Sequence, residues 1–112
     1  MKAIGIDIGT TSICLVLYDP ENGRIEESAG APNEFLEGGF RQDADRIVSV
    51  IKEKLDWLLD RSADVGVIGV SAQMHGILYV DREGGALSPY YTWKETCRET
   101  LFEGLDAAQW LS

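Results

Sequence analysis

Basic residues are scarce in this sequence. Ten lysines and arginines stand against nineteen aspartates and glutamates, for a formal net charge of −9. That balance excludes the positive footprint that nucleic acid requires and the basic surface that anionic lipid attracts. It leaves room for phosphate, provided the donors are local backbone amides and hydroxyls. Cysteine is nearly absent: Cys14 and Cys97 make neither a metal spacing nor a disulfide framework. Cys14 lies in an apolar run and is expected as a small buried residue. Histidine occurs once, as His75, and no Ser–His–Asp or metal set is evident. Long apolar runs are missing too. Asp7 interrupts the N-terminal one, so no signal peptide is read, and no run approaches a membrane span. A reducing cytoplasm is the default expectation. At 112 residues the chain supports one domain at most.

What is present starts with Ala3–Tyr18. Ala3 to Ile8 reads as an apolar strand with Asp7 near its end. Gly9-Thr10-Thr11-Ser12 is turn chemistry, with a glycine expected at positive φ followed by hydroxyls. Ile13 to Tyr18 is a second strand, apolar enough to be expected buried on both faces. A carboxylate at a strand end suits a hydrated Mg²⁺, and a Gly/Thr turn offers donors to phosphate oxygens. A plain β-hairpin with satisfied turn groups fits the same residues.

Further along, Asp19-Pro20-Glu21-Asn22-Gly23 is a turn. Arg24 to Ala29 is a third strand, completing an antiparallel meander. Gly30 to Asp43 is a polar connection leading to a helix. Asp43 to Asp60 carries Ala44, Ile47, Val48, Ile51, Leu55, Leu58 and Leu59 on one stripe, with Asp43 as N-cap. This helix packs the core and is assigned no chemistry. Val65 to Ser71 fits a buried strand, parallel to a neighbour after the crossover. Ligands of open α/β sheets bind beyond the carboxyl ends of such strands, which places Ala72-Gln73-Met74-His75-Gly76 at a site edge. Gly76 to Asp81 reads as a short strand, Arg82-Glu83-Gly84-Gly85 as a turn, and Ala86 to Trp93 as an extended aromatic segment. Lys94 onward, with Cys97, Leu101 and Leu105, reads as a helix.

Two of these segments resemble a known family. Gly5-Ile6-Asp7-Ile8-Gly9-Thr10-Thr11-Ser12 is similar to the first phosphate segment of the actin-like ATPase superfamily. Ile68-Gly69-Val70-Ser71-Ala72-Gln73-Met74-His75-Gly76 resembles the substrate segment of FGGY carbohydrate kinases, nearest the xylulose and sedoheptulose kinase branches. The resemblance covers nearly the whole chain but only the beginning of the family's length. It implies an α/β fold: a truncated ribonuclease-H-like (actin-like ATPase) mixed sheet with flanking helices, residues 1–112 being the first portion of kinase domain I. It implies Mg-ATP as cofactor and a ketose or polyol as substrate. Asp7 would approach the metal–nucleotide, and Gly9, Thr10 and Thr11 would lie against the transferred phosphate. Gln73, Met74, His75 and Gly76 would contact the sugar, with Trp93 and Glu95 from a second aromatic–carboxylate segment.

The sequence departs from the family's pattern at several points. Cys14 stands where Lys or Arg is common. Cys97 replaces an Arg, and Arg98 comes one residue late, turned about 100° on a helix. In Phe40-Arg41-Gln42-Asp43-Ala44 the usual Glu is Arg41 and the usual Pro is Ala44. The family's catalytic aspartate and adenosine pocket come later than this sequence reaches, so the isolated chain is expected to be inactive. A second reading is a non-catalytic sugar- or phosphate-binding module that self-associates, as exposed strand edges invite. A chaperone-type actin-like ATPase is a third, against which Gln73-Met74-His75-Gly76 argues.

Overall fold

The computed structural model describes residues 1–94 and, beyond them, the pairing of strands Leu101–Phe102 and Leu105–Asp106. The opening meander forms as its turns dictate. Strand β1 (Lys2–Ile8) pairs antiparallel with β2 (Ser12–Asp19), and β2 with β3 (Arg24–Pro32). The β2–β3 turn is held by Asp19 and Asn22. Asp19 Oδ1 accepts from Glu21 N at 2.9 Å, Asn22 Oδ1 accepts from Arg24 N at 3.0 Å, and Gly23 takes φ +69°. β3 runs on through Gly30 to Pro32, beyond the Ala29 expected. Gly30 tolerates no side chain there, since a Cβ would sit 2.9 Å from Ile13 O on the neighbouring strand.

The short strand β4 (Arg41–Gln42) leads into helix α1 (Ala44–Leu59). Asp43 is its N-cap, accepting from Asp45 N and Arg46 N at 3.0 and 3.3 Å. After α1 the chain returns as β5 (Val65–Ala72), parallel to β1, giving the order β3-β2-β1-β5. The segment from Gly76 to Asp81 is not the strand expected. It makes only single bridges, Ile77 to Tyr91 and Val80 to Ala86, across a turn with Gly84 at φ +84°. Strand β6 (Tyr90–Tyr91) pairs with β4. The short strands β7 (Leu101–Phe102) and β8 (Leu105–Asp106) stand where a helix was expected. Gly104 lies between the two leucines and is a poor residue inside a helix. The rest of that expected helix, with Cys97 and Arg98, lies outside the described residues.

The core sits between the meander and α1. Ile4, Ile6, Ile13, Leu15, Leu17 and Leu58 are buried, with Ile47, Val50, Ile51 and Leu55 packed against them. Full burial of one such side chain stabilises by about 1.5–3 kcal/mol. The helix stripe is thus largely as expected, with Val50 joining it and Val48 and Leu59 left exposed.

The opposite sheet face corrects three expectations. β2 alternates rather than being buried on both faces, because α1 covers one face and no described element covers the other. Cys14 is therefore an exposed free thiol. β5 is an exposed edge strand among the described residues, with Val67 50 % and Val70 66 % exposed, because the helix packs on β2 and β3 and leaves the faces of β5 uncovered.

Candidate functional site

Parallel pairing sets Ile8 beside Ala72, so the turn after β1 and the segment after β5 leave the sheet side by side. The Gln73 N–H donates to Ile8 O at 2.8 Å and fastens the two exits together. There the Thr10 hydroxyl donates to Gln73 Oε1 at 2.9 Å. It also accepts from the Trp93 indole Nε1–H at 3.0 Å. Trp93 reaches this point because β6 pairs with β4 and because Thr92, just after β6, is buried with its hydroxyl donating to Phe40 O at 2.6 Å. Thr10, Gln73 and Trp93, far apart in the chain, thus form one hydrogen-bonded group.

Two further residues complete it. Gln42 is fully buried and makes four hydrogen bonds. Its Nε2 donates to Thr10 O at 2.8 Å and Asn33 O at 3.3 Å. Its Oε1 accepts from Gln73 Nε2 at 2.9 Å and Asn33 Nδ2 at 3.3 Å. Asn33, also buried, donates to Gly9 O at 2.8 Å, and its Oδ1 is buried with no hydrogen-bond partner. Sequence reasoning took Gln42 as part of a helix approach and gave Asn33 no role. The signal available was a lone amide between Arg41 and the N-cap Asp43.

Gly9 is required for a reason other than the one expected. It is absent from the positive-φ residues; a Cβ there would lie 2.9 Å from Ser12 O, across a turn closed by Gly9 N–H donating to the same oxygen. Thr11 and Ser12 are exposed beside it.

Asp7 is not drawn into the network. It is exposed on the open sheet face, beside Cys14 and Ser71, in a shallow concavity of about 470 Å³. Met74 is exposed, and His75 is exposed with φ +61°, the left-handed region that non-glycine residues seldom adopt. Gly76 lies so close to Tyr90 that any Cβ would overlap the phenol. Burial pushes the Tyr90 hydroxyl above its ordinary pKa of 10.0. Lys94 brings a cation to the site, its Nζ 5.4 Å from the Trp93 ring centroid. Glu95 lies outside the described residues. Among those described, no group of three or more His, Cys, Asp or Glu is placed to hold a metal. No described helix is long and apolar enough to cross a membrane.

An antiparallel opening meander, a crossover helix and a parallel fourth strand with polar groups gathered at the strand exits define an α/β protein of the actin-like ATPase fold. Residues 2–109 match the FGGY family of carbohydrate kinases, N-terminal domain, and the chain belongs to that family. It is 28 % identical over 97 residues to a xylulose kinase of Staphylococcus xylosus, covering 83 % of this chain and 20 % of that protein. The ligand-bound xylulose kinase from Lactobacillus acidophilus superposes with a TM-score of 0.77 at 26 % identity, over 86 % of this chain and 20 % of that one. Glycerol kinase of Plasmodium falciparum with ADP gives a TM-score of 0.66 at 25 % identity, over 85 % and 21 %. The chain thus spans about a fifth of the length of the relatives it matches.

Proposed function

We infer that the chain is the opening portion of domain I of a kinase that transfers the γ-phosphate of ATP to a hydroxyl of a ketose or polyol. The observation that carries this reading is the contact of Thr10 with Gln73 and Trp93. It joins a turn that resembles a phosphate segment to a segment that resembles a sugar segment. Likeness to xylulose kinases favours a ketose, and likeness to a glycerol kinase with ADP favours a nucleotide and keeps polyols within range.

The residues fit Mg-ATP. Asp7 supplies an exposed strand-end carboxylate for a hydrated Mg²⁺. The turn Gly9–Ser12 is too tight for a side chain at Gly9 and presents Thr11 and Ser12 hydroxyls outward. When bound, the metal neutralises phosphate charge, which with positioning is most of what phosphoryl transfer requires. Gln73, Met74, His75, Gly76, Trp93 and Glu95 are the residues we assign to the sugar. Gln73 offers both a donor and an acceptor to hydroxyls.

The 112 residues alone are expected to be inactive, in keeping with the fifth of the relatives' length they span. A coupled ADP-release assay over xylulose, sedoheptulose and glycerol tests this, and clear turnover by the isolated chain overturns it. ¹H–¹⁵N NMR titration tests the binding assignment. Shifts at Gln73–Gly76 and Trp93 with sugar, and at Asp7–Thr11 with Mg-ATP, are expected, and the absence of both overturns the reading. The free, exposed Cys14 thiol suits a reducing cytoplasm. The open apolar sheet face favours one element of the second reading, self-association into a dimer.

A further inference from the structure

We propose that Asn33 and Gln42 are positioning residues that hold the carbonyl groups of the Gly9–Thr11 turn inward, so that the Thr10 and Thr11 N–H groups face outward to a phosphate. This rests on the phosphate half of the proposed function and names the residues that prepare the turn for it.

Three consecutive carbonyls of the turn are held by these two residues. Gly9 O accepts from Asn33 Nδ2 at 2.8 Å, Thr10 O from Gln42 Nε2 at 2.8 Å, and Thr11 O from the Asn33 backbone N–H at 3.0 Å. Asn33 is 3 % exposed and Gln42 0 %, so these bonds lie on the buried side of the turn. A trans peptide is planar, and its C=O and N–H point opposite ways. The Gly9 carbonyl shares its peptide with the Thr10 N–H, and the Thr10 carbonyl shares its peptide with the Thr11 N–H. Drawing both carbonyls inward therefore aims both N–H groups outward. The Gly9 N–H is taken by Ser12 O. Among the described residues the Thr10 and Thr11 N–H groups have no hydrogen-bond acceptor. Two successive free donors on one turn suit the oxygens of a phosphate.

The direction of the two side-chain amides is forced. A backbone carbonyl can only accept, so Asn33 and Gln42 must turn their nitrogens to the turn. Asn33 does so although its Oδ1 is left buried without a partner. The two residues also hold each other, Asn33 Nδ2 donating to Gln42 Oε1 and Gln42 Nε2 donating to Asn33 O, each at 3.3 Å. They act as one brace behind the turn. Donors aimed before a ligand arrives need no reorganisation when it binds. In a chain of net charge −9, such local donors stand in for a basic field.

Asn33→Leu and Gln42→Met keep the side-chain volume nearly constant and remove the donors without adding charge. The probe is inorganic phosphate, titrated into the full chain and followed by NMR. In wild type the Thr10 and Thr11 amide signals are expected to move with phosphate. Each variant is expected to weaken phosphate binding about threefold to tenfold, the range one hydrogen bond supplies. Without ligand, the Gly9 carbonyl ¹³C signal is expected to shift in Asn33→Leu and that of Thr10 in Gln42→Met, while resonances of Ile4–Ile6 and Leu15–Leu17 stay in place. Unmoved carbonyl signals overturn the brace. Hydrogen exchange on wild type keeps the test open if the variants fold poorly. The Asn33 and Gln42 side-chain NH₂ protons are expected to exchange slowly, and the Thr10 and Thr11 N–H protons quickly until phosphate is added. Rapid exchange of both side-chain amides, or slow exchange of Thr10 and Thr11 without phosphate, overturns the proposal. Equal phosphate affinity in wild type and both variants overturns the positioning role alone and leaves the kinase reading standing. If phosphate leaves Thr10 and Thr11 unmoved in wild type, the phosphate assignment of the turn falls with it.

Discussion

At the scale of single residues the site depends on close approaches that no side-chain chemistry announces. Gly76 has its Cα against the Tyr90 phenol, so Gly76→Ala forces the ring away. We expect a loss of about 1–3 kcal/mol, the usual cost of overpacking, measured by urea unfolding; an unchanged midpoint contradicts the packing described. Tyr90 carries a second consequence. Its burial favours the neutral phenol and raises its pKa from 10.0. The unfolded chain then loses the proton first, so the stability Tyr90 contributes is present below pH 10.0 and is lost as pH climbs through the raised value. Lys2 acts in the same direction, its ammonium raised above 10.5 chiefly by its hydrogen bond to Glu26. Thermal unfolding followed by circular dichroism is expected to show an alkaline fall in Tm that Tyr90→Phe partly flattens. A slope untouched by that change removes Tyr90 as its source. Asp7 and the turn glycine were legible in the sequence as types. That Gly9 is needed for contact with Ser12 O, rather than for positive φ, was not, because the clash involves a backbone atom three residues on.

At the scale of elements, α1 was the most legible. Its apolar period and the capping aspartate agree with the structure because both act within the helix itself. Asp43→Ala removes two accepted hydrogen bonds and is expected to cost about 1 kcal/mol, read as a lower denaturant midpoint with the same slope. Leu58 and Val70 separate the covered from the uncovered face. Leu58 is fully buried, so Leu58→Ala is expected to cost about 2–5 kcal/mol. Val70 is 66 % exposed, so Val70→Thr is expected to stay within about 0.5 kcal/mol. Comparable losses from the two changes place β5 in a covered core and contradict the edge assignment. Sequence reasoning expected β5 buried because its β-branched run is what a central parallel strand carries. Composition registers suitability for burial, whereas cover depends on which neighbours the chain supplies.

At the scale of the whole molecule, α1 covers one face of the meander, while β5 is exposed on both of its faces. Val67, Ile68 and Val70 are exposed at the edge strand, and an unpaired edge is a template for another strand. We expect light scattering to show a mass that rises with concentration toward a dimer, and Val70→Lys to lower it. A monomer throughout the concentration range removes self-association. Membership of the FGGY family follows from a match over residues 2–109, and the two segments that carry the resemblance, Gly5–Ser12 and Ile68–Gly76, run along the paired strands β1 and β5 and leave the sheet at adjacent exits.

What the sequence determined by itself was local: the Asp19–Gly23 turn, the capped helix, the three strands of the meander and the two motif segments. Each follows from interactions between residues a few positions apart. Only the tertiary structure decided that Cys14 and β5 face outward, since cover comes from elements elsewhere in the chain. It alone decided that Gln42, a single amide before a helix, becomes the buried centre of the site. A hydrogen bond between Gln42 and Gln73, 31 positions apart, exists only once parallel strands bring their ends together.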